Sequence, residues 1–263
     1  MATSQVAVIP PKGNIEGVRP AVASKVFELL KSGRRYFGSA GASLTHLASN
    51  PDYEMPEGME RGSARIGLEG ERETSAFLQK WIKDKPNAVL IDSVHIRGWG
   101  QEEIDEETGV IEGGDTDHIL LIGSEVLLID TKRWKKKTSY QVADDGTVTR
   151  SQKAFPGGNV RATAAMHMWL DYLDVDAKVT TFICINTPEI TVFRNRNWYQ
   201  QPYRLVEIDR FEELLNAKYE KIAEEDRETI NSTLVAQVVV GAVKPYDEYQ
   251  RVFAMDALKA FKG

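Results

Sequence analysis

Cysteine is almost absent from this 263-residue chain: Cys184 stands alone, which excludes an intrachain disulfide framework and any CxxC zinc or redox motif. Histidine is scarce too. His46, His95, His118 and His167 form no HExxH or paired spacing, so no zinc site is expected. No apolar run approaches the roughly 18–20 residues of a membrane span; the nearest, 235–243, is far too short. Net positive charge is lacking as well, with 33 Lys and Arg against 39 Asp and Glu, a formal charge of −6. Bulk attraction to polyanions is thereby excluded, and nucleic-acid binding would have to rest on a local basic patch. There is no solenoid period, P-loop, dinucleotide fingerprint or GxSxG elbow. The first residues carry no basic region followed by a long apolar stretch, so no secretory signal is expected. With few thiols this points to a soluble, cytoplasmic protein. A 42% hydrophobic and 27% charged composition suffices for one large domain or two small ones.

Along the chain, residues 1–18 read as an irregular arm and 19–34 as a helix, with Pro20 in its first turn and Val22, Val26, Phe27, Leu29 and Leu30 as its stripe. A short helix is expected at 42–48 and a linker at 50–62, where prolines, glycines and acids cluster. Residues 67–83 read as a second long helix whose first turns carry Glu69, Glu71 and Glu73, acids suited to the positive end of the dipole. A strand at 88–96 and an acidic loop at 98–114 follow. Strands 117–122 and 125–132, joined at Gly123-Ser124, predict an antiparallel hairpin, and Asp145-Gly146 predicts a second between 140–142 and 147–149. A helix at 159–173, strands at 178–185, 190–193 and 204–208, and a helix at 210–222 complete the pattern; 234–243 suits either state. The expectation is an α/β or α+β fold, a mixed sheet flanked by helices. Its parts are an N-terminal helical segment and linker (1–62), a core (63–208) and a mainly helical extension (209–263).

The chemistry concentrates at three places: Glu71 on a helix, Asp117 opening a strand, and Asp130-Thr131-Lys132 closing the next. Alternate strand residues share a face, so Asp130 and Lys132 project together. They follow the apolar run Val126-Leu127-Leu128-Ile129, where an isolated charge is too costly to bury and must pair, meet water or bind an ion. With Asp117 on the adjacent strand, two carboxylates and an ammonium converge. Hydrolysis of a phosphodiester calls for this set: Mg²⁺ or Mn²⁺ takes carboxylate and phosphate oxygens, and a lysine beside it orients water and offsets phosphate charge. Taken singly, Asp117 is equally a turn residue, Asp130 and Lys132 a surface ion pair of little worth, and Glu71 a dipole partner. Asp115 reads as part of the loop, His118 as a structural histidine turned away from Asp117, and Cys184 as an inert buried thiol.

Gly70-Glu71, Asp117-His118-Ile119-Leu120-Leu121-Ile122-Gly123 and Val126-Leu127-Leu128-Ile129-Asp130-Thr131-Lys132-Arg133-Trp134 together resemble the nuclease-related domain (NERD) family. That family is similar to the wider PD-(D/E)xK nuclease superfamily. The resemblance spans residues 65–185. It implies a PD-(D/E)xK restriction-endonuclease-like core with helical extensions and a Mg²⁺- or Mn²⁺-dependent nuclease. Asp117 and Asp130 would be its metal carboxylates, Glu71 the helix glutamate that completes the metal shell, the Thr131 carbonyl a further metal oxygen, and Lys132 the catalytic lysine. Asp130 stands where the family usually has glutamate. Asn159-Val160-Arg161-Ala162-Thr163 keeps the asparagine of an Asn-Pro-x-x-Gln pattern without its proline or glutamine, and Arg161 is expected to contact phosphate instead.

Lys132-Arg133-Trp134-Lys135-Lys136-Lys137 is the one conspicuous basic patch, so Arg133, Trp134, Lys135, Lys136 and Lys137 are expected to bind nucleic acid, with DNA the expected form. The rival reading is a non-catalytic nuclease-like module that binds nucleic acid or a partner protein. The N-terminal segment is the expected place for a protein partner or for self-association.

Overall fold

The computed structural model describes residues 6–11, 15, 18–42, 44–45, 61–96, 114–134, 139–142, 148–150, 153–154, 177–187, 189–194 and 203–243. Strand β1 (Ala7–Ile9) precedes helix α1 (Pro20–Lys31) and β2 (Tyr36–Phe37), and the long α2 (Arg61–Ile82) leads into β3 (Ala88–Ile96), β4 (Gly114–Ile122) and β5 (Glu125–Lys132). Next come β6 (Ser139–Val142), β7 (Val148–Arg150), β8 (Lys153–Ala154), β9 (Lys178–Ile185), β10 (Thr191–Arg194) and β11 (Tyr203–Glu207). They are followed by α3 (Ile208–Tyr219), α4 (Glu224–Arg227), β12 (Thr229–Asn231) and α5 (Ser232–Val243).

The main sheet has six strands in the order β11-β9-β5-β4-β3-β2. Its centre is the antiparallel meander β3-β4-β5, and β9 joins β5 in parallel, Asp130 facing Ile183 and Lys132 facing Ile185. A sheet that is antiparallel at its centre and parallel at both ends, where β2 joins β3 and β9 and β11 follow β5, is the expected mixed α/β architecture. Because β4 and β5 are apolar on both faces, each face must be covered. Val89, Ile91, Ile119, Leu121, Val126 and Leu128 pack against Val26 and Leu30 of α1 and Leu234, Val235, Val238 and Val239 of α5. Leu90, Leu120, Ile122, Leu127 and Ile129 pack against Leu78, Trp81 and Ile82 of α2 and Phe211 and Leu215 of α3. Each such aliphatic side chain contributes roughly 1.5–3 kcal/mol on burial. A second, four-stranded sheet runs β10-β6-β7-β8.

Several expectations change. The arm at 1–18 contains β1, which pairs in parallel with β12, Ala7 with Thr229 and Ile9 with Asn231. Val8 on that strand and Val6 just before it pack against the core, and the Ser232 hydroxyl donates to the Ile9 carbonyl. Residues 234–243 are helical, since Leu234, Val235, Val238 and Val239 fall three and four apart on one buried face. Asp115 lies in β4 rather than the loop, its backbone paired with His95, because β3 runs on to Ile96 and offers ladder partners that far. The predicted strands flanking Asp145-Gly146 pair antiparallel as β6 and β7. The turn itself, most of the acidic loop and the helix expected at 159–173 lie outside the described residues. Among the described residues no helix is long and apolar enough to cross a membrane.

Candidate active site on strands β4 and β5

The β4–β5 ladder runs from Ile122↔Glu125 to His118↔Ile129, and Asp117 is the first residue beyond its last pair. The Asp117 side chain takes over as acceptor: the Thr131 amide donates to its Oδ2 at 2.6 Å. A carboxylate so bonded is held in one orientation, and bonds to a charged acceptor are the short, strong kind. Across β4 the ladder to β3 also opens at this point. Its register passes from Asp92↔His118 to Val94↔Thr116, skipping Ser93 and Asp117, and Ser93 adopts the left-handed φ of +53°. Non-glycine residues enter that region at a cost and are typically held there by surrounding contacts. Here the Ser93 hydroxyl donates to the Ser39 carbonyl and accepts from the Ala42 amide.

Asp130 and Lys132 project together, as the two-residue period requires. Lys132 Nζ lies 3.0 Å from Asp130 Oδ1 and 2.9 Å from Oδ2. Burial opposes the Lys132 charge, but Asp130, Asp117 and Glu71 outweigh it and raise the ammonium above its ordinary range. The carboxylates around it thus favour Lys132 as the ammonium in the metal-free site. Asp117 moves the other way for a carboxyl: burial first, then the Asp130 charge, push it up to about 6, against the opposing pull of Lys132, His118 and the Thr131 amide.

Glu71 is buried on α2. A Cβ added at Gly41 would lie 3.6 Å from its Oε2, so the carboxylate sits against the Gly41 backbone. Glu71 bears on the site through its charge on Lys132. Among the described residues no three His, Cys, Asp or Glu side chains come close enough together to hold a metal by themselves. In the metal-free site Glu71 is a charge partner of Lys132.

The helix is brought to the strand end by small residues and amides. A Cβ at Gly70 would stand 2.9 Å from Arg133 Cβ, so only glycine fits there. The buried Asn186 side chain donates to the Gly70 carbonyl at 2.8 Å and the Thr74 hydroxyl at 3.0 Å. Arg133, expected at the nucleic-acid surface, lies along α2 instead, 2.6 Å from Glu73 and 3.9 Å from Glu69. Trp134 is likewise not displayed. It is 7% exposed, stacks on Tyr140 at 4.5 Å, and its backbone N–H and carbonyl both bond the Thr187 hydroxyl. Its ring fills an apolar pocket with Ile183, Ile185, Val192 and Leu205 and has no free face for a base. Lys135, Lys136, Lys137 and Arg161 lie outside the described residues. Cys184 is buried, and burial pushes its thiol well up, as expected of an inert one.

A hard divalent cation fits this set. Two aspartates share one end of the sheet, three carboxylates bear on a single ammonium, and the buried Asp130 Oδ2 meets that ammonium at 2.9 Å. Small, hard cations are often held by one or two carboxylates, with water and substrate oxygens completing the shell.

Residues 66–186, from Ile66 on α2 to the Asn186 that ties α2 to β9, match the family model described as Nuclease-related domain. This segment is similar to nuclease-related domains. No curated protein and no solved structure is significantly similar to the chain. The matched segment takes in most of α2 and strands β3–β9, hence Glu71, Asp117, Asp130 and Lys132, and excludes α1 and α3–α5.

The raised Asp117 carboxyl has a signed consequence. Its folded value near 6 exceeds the ordinary value near 3.9, so between those pH values the folded state holds a proton that the unfolded state has lost. Metal-free stability therefore falls as pH rises from about 4 to 6, by up to roughly 3 kcal/mol, and is flat in this respect outside that window. Urea midpoints of the parent and Asp117→Asn should diverge across pH 4–6 in favour of the variant. A constant difference would show that Asp117 titrates normally.

Proposed function

We propose that the matched segment is a Mg²⁺- or Mn²⁺-dependent nuclease that hydrolyses a phosphodiester bond in nucleic acid, with DNA the expected substrate. The observation that carries this is the Asp117–Asp130–Lys132 group: two carboxylates on neighbouring strands beside an ammonium 2.9–3.0 Å from one of them. Asp117 and Asp130 would hold the cation, with the Thr131 carbonyl as a further oxygen, and the cation when bound would polarise the phosphate and acidify a water. The Thr131 amide fixes the Asp117 carboxylate before any ligand arrives, so no reorganisation is needed on binding. Lys132, held as the ammonium by Asp130 and Glu71, orients the attacking water by donating to it and offsets charge that develops on the phosphate. Glu71 contributes by keeping that charge in place.

Calorimetric titration with Mn²⁺ tests the site separately from turnover. The parent should bind, and Asp117→Ala should lose the heat. Absence of binding by the folded parent would favour a nuclease-like module that recognises nucleic acid or a partner protein without cutting.

A further inference from the structure

Beneath the carboxylates, on the opposite face of β4 and β5, lies a second polar chain. His118 Nδ1 is 2.8 Å from Asp92 Oδ1, and His118 Nε2 is 3.1 Å from Thr131 Oγ1. Asp92 and His118 are both fully buried and Thr131 is 8% exposed. Asp92 Oδ2 accepts from the Tyr36 hydroxyl at 3.0 Å and from the Ser75 hydroxyl. With two hydroxyls donating to its other oxygen, Asp92 acts as acceptor toward His118, so Nδ1 carries the proton and Nε2 is left to the Thr131 hydroxyl. Gly38 allows this packing: at φ +80° its backbone approaches Asp92 so closely that a Cβ would lie 2.2 Å from the Asp92 carbonyl oxygen.

Acid, imidazole and hydroxyl in series are the ingredients of a hydrolytic triad. Thr131 is nevertheless no nucleophile, because its hydroxyl points into the packed layer under α2 and no substrate reaches it. Its backbone, by contrast, belongs to the site: its amide binds Asp117, and its neighbours in sequence are Asp130 and Lys132. Fixing this one side chain fixes the peptide unit on which all three depend.

We infer that Asp92 and His118 are positioning residues, which lock Thr131 through its hydroxyl so that its amide holds Asp117 in the orientation required for the cation. The inference deepens the nuclease reading and rests on it for the cation, while the hold on Asp117 can be tested without any metal. Polar groups that orient metal ligands in this way typically change metal affinity or activity by roughly ten- to a hundredfold when removed.

Two substitutions at His118 separate the roles. His118→Asn can still reach Asp92 but is too short to reach Thr131, whereas the longer His118→Gln side chain reaches the Thr131 hydroxyl. In the metal-free protein, NMR-detected exchange of the Thr131 amide proton should quicken at least about tenfold in His118→Asn and return towards the parent rate in His118→Gln. The amides of Leu120 and Leu127, paired in the same ladder, should keep their parent rates and so report an intact fold. Mn²⁺ affinity should follow the same order, roughly ten- to a hundredfold weaker in His118→Asn. If His118→Asn does not fold, the isosteric Thr131→Val should give the same loss of amide protection. An unchanged Thr131 amide in folded His118→Asn or Thr131→Val overturns the inference, as does equal Mn²⁺ affinity in the parent and His118→Asn. If the parent binds no Mn²⁺, the nuclease reading fails, and the amide measurement alone decides the positioning role.

Discussion

Lys132→Ala is expected to lower the cleavage rate at saturating Mn²⁺ on the order of 10²–10³-fold, the size seen when one preorganised charge-stabilising donor is removed. Two effects contribute. The ammonium that would orient water and face the phosphate is gone. The Asp130 carboxylate also keeps its burial while losing the charge 2.9–3.0 Å away, and Asp117 loses one of the influences that hold its own carboxyl down. Asp117 should therefore keep its proton to higher pH in the variant, and at subsaturating Mn²⁺ the loss should be greater at pH 6 than at pH 7.5. Lys132→Met retains the aliphatic stem and isolates the charge, so it should behave like Lys132→Ala. Lys132→Arg restores charge in a planar fork rather than as a point and should recover only part of the rate. Single-turnover rates at the two pH values check this. A Lys132→Met protein as fast as the parent would remove Lys132 from the reaction.

Asp92→Ala should be the most destabilising of the substitutions considered, costing about 3–5 kcal/mol, as expected when one partner of a buried hydrogen-bonded pair is removed. Asp92 is fully buried, and its loss strands His118, Tyr36 and Ser75 at once. Water cannot replace it without opening the packing between β3, β4 and α2. Asp92→Asn keeps the shape and one acceptor oxygen and should cost nearer 1–2 kcal/mol. Urea unfolding of both variants measures the difference, and a loss under 1 kcal/mol in Asp92→Ala would show that the network contributes little to holding the sheet.

The strand-borne part of the site was legible because its signals are local. Asp130 and Lys132 end an unbroken apolar run, and Asp117 opens the preceding one, so the period-two rule and the cost of burying charge were enough to single them out. The chain Tyr36–Asp92–His118–Thr131 was not legible. Asp92 interrupts the apolar Val89-Leu90-Ile91, and a carboxylate in such a strand was the available sign; but its partners lie 56 residues before and 26 residues after it, and only the sheet register brings them together. Non-local pairing likewise hid β1 and β12, three-residue strands too short to show a period. Trp134 misled in the opposite direction. Among five lysines and arginines it reads as a solvent-facing aromatic, yet Tyr140 and Thr187, on segments that sequence spacing does not place, draw it into the core. Arg133 is paired along α2 with the exposed Glu69 and Glu73, a contact that the glycine at position 70 makes possible.

Cleavage of supercoiled plasmid and linear DNA by the parent, Asp117→Ala and Lys132→Ala, each with Mn²⁺, Mg²⁺ or EDTA and purified identically, tests the central claim most directly. The site described here predicts cutting by the parent with either cation, none with EDTA, and loss in both variants. Equal activity in all three proteins, or silence in a folded parent under every condition, would contradict it.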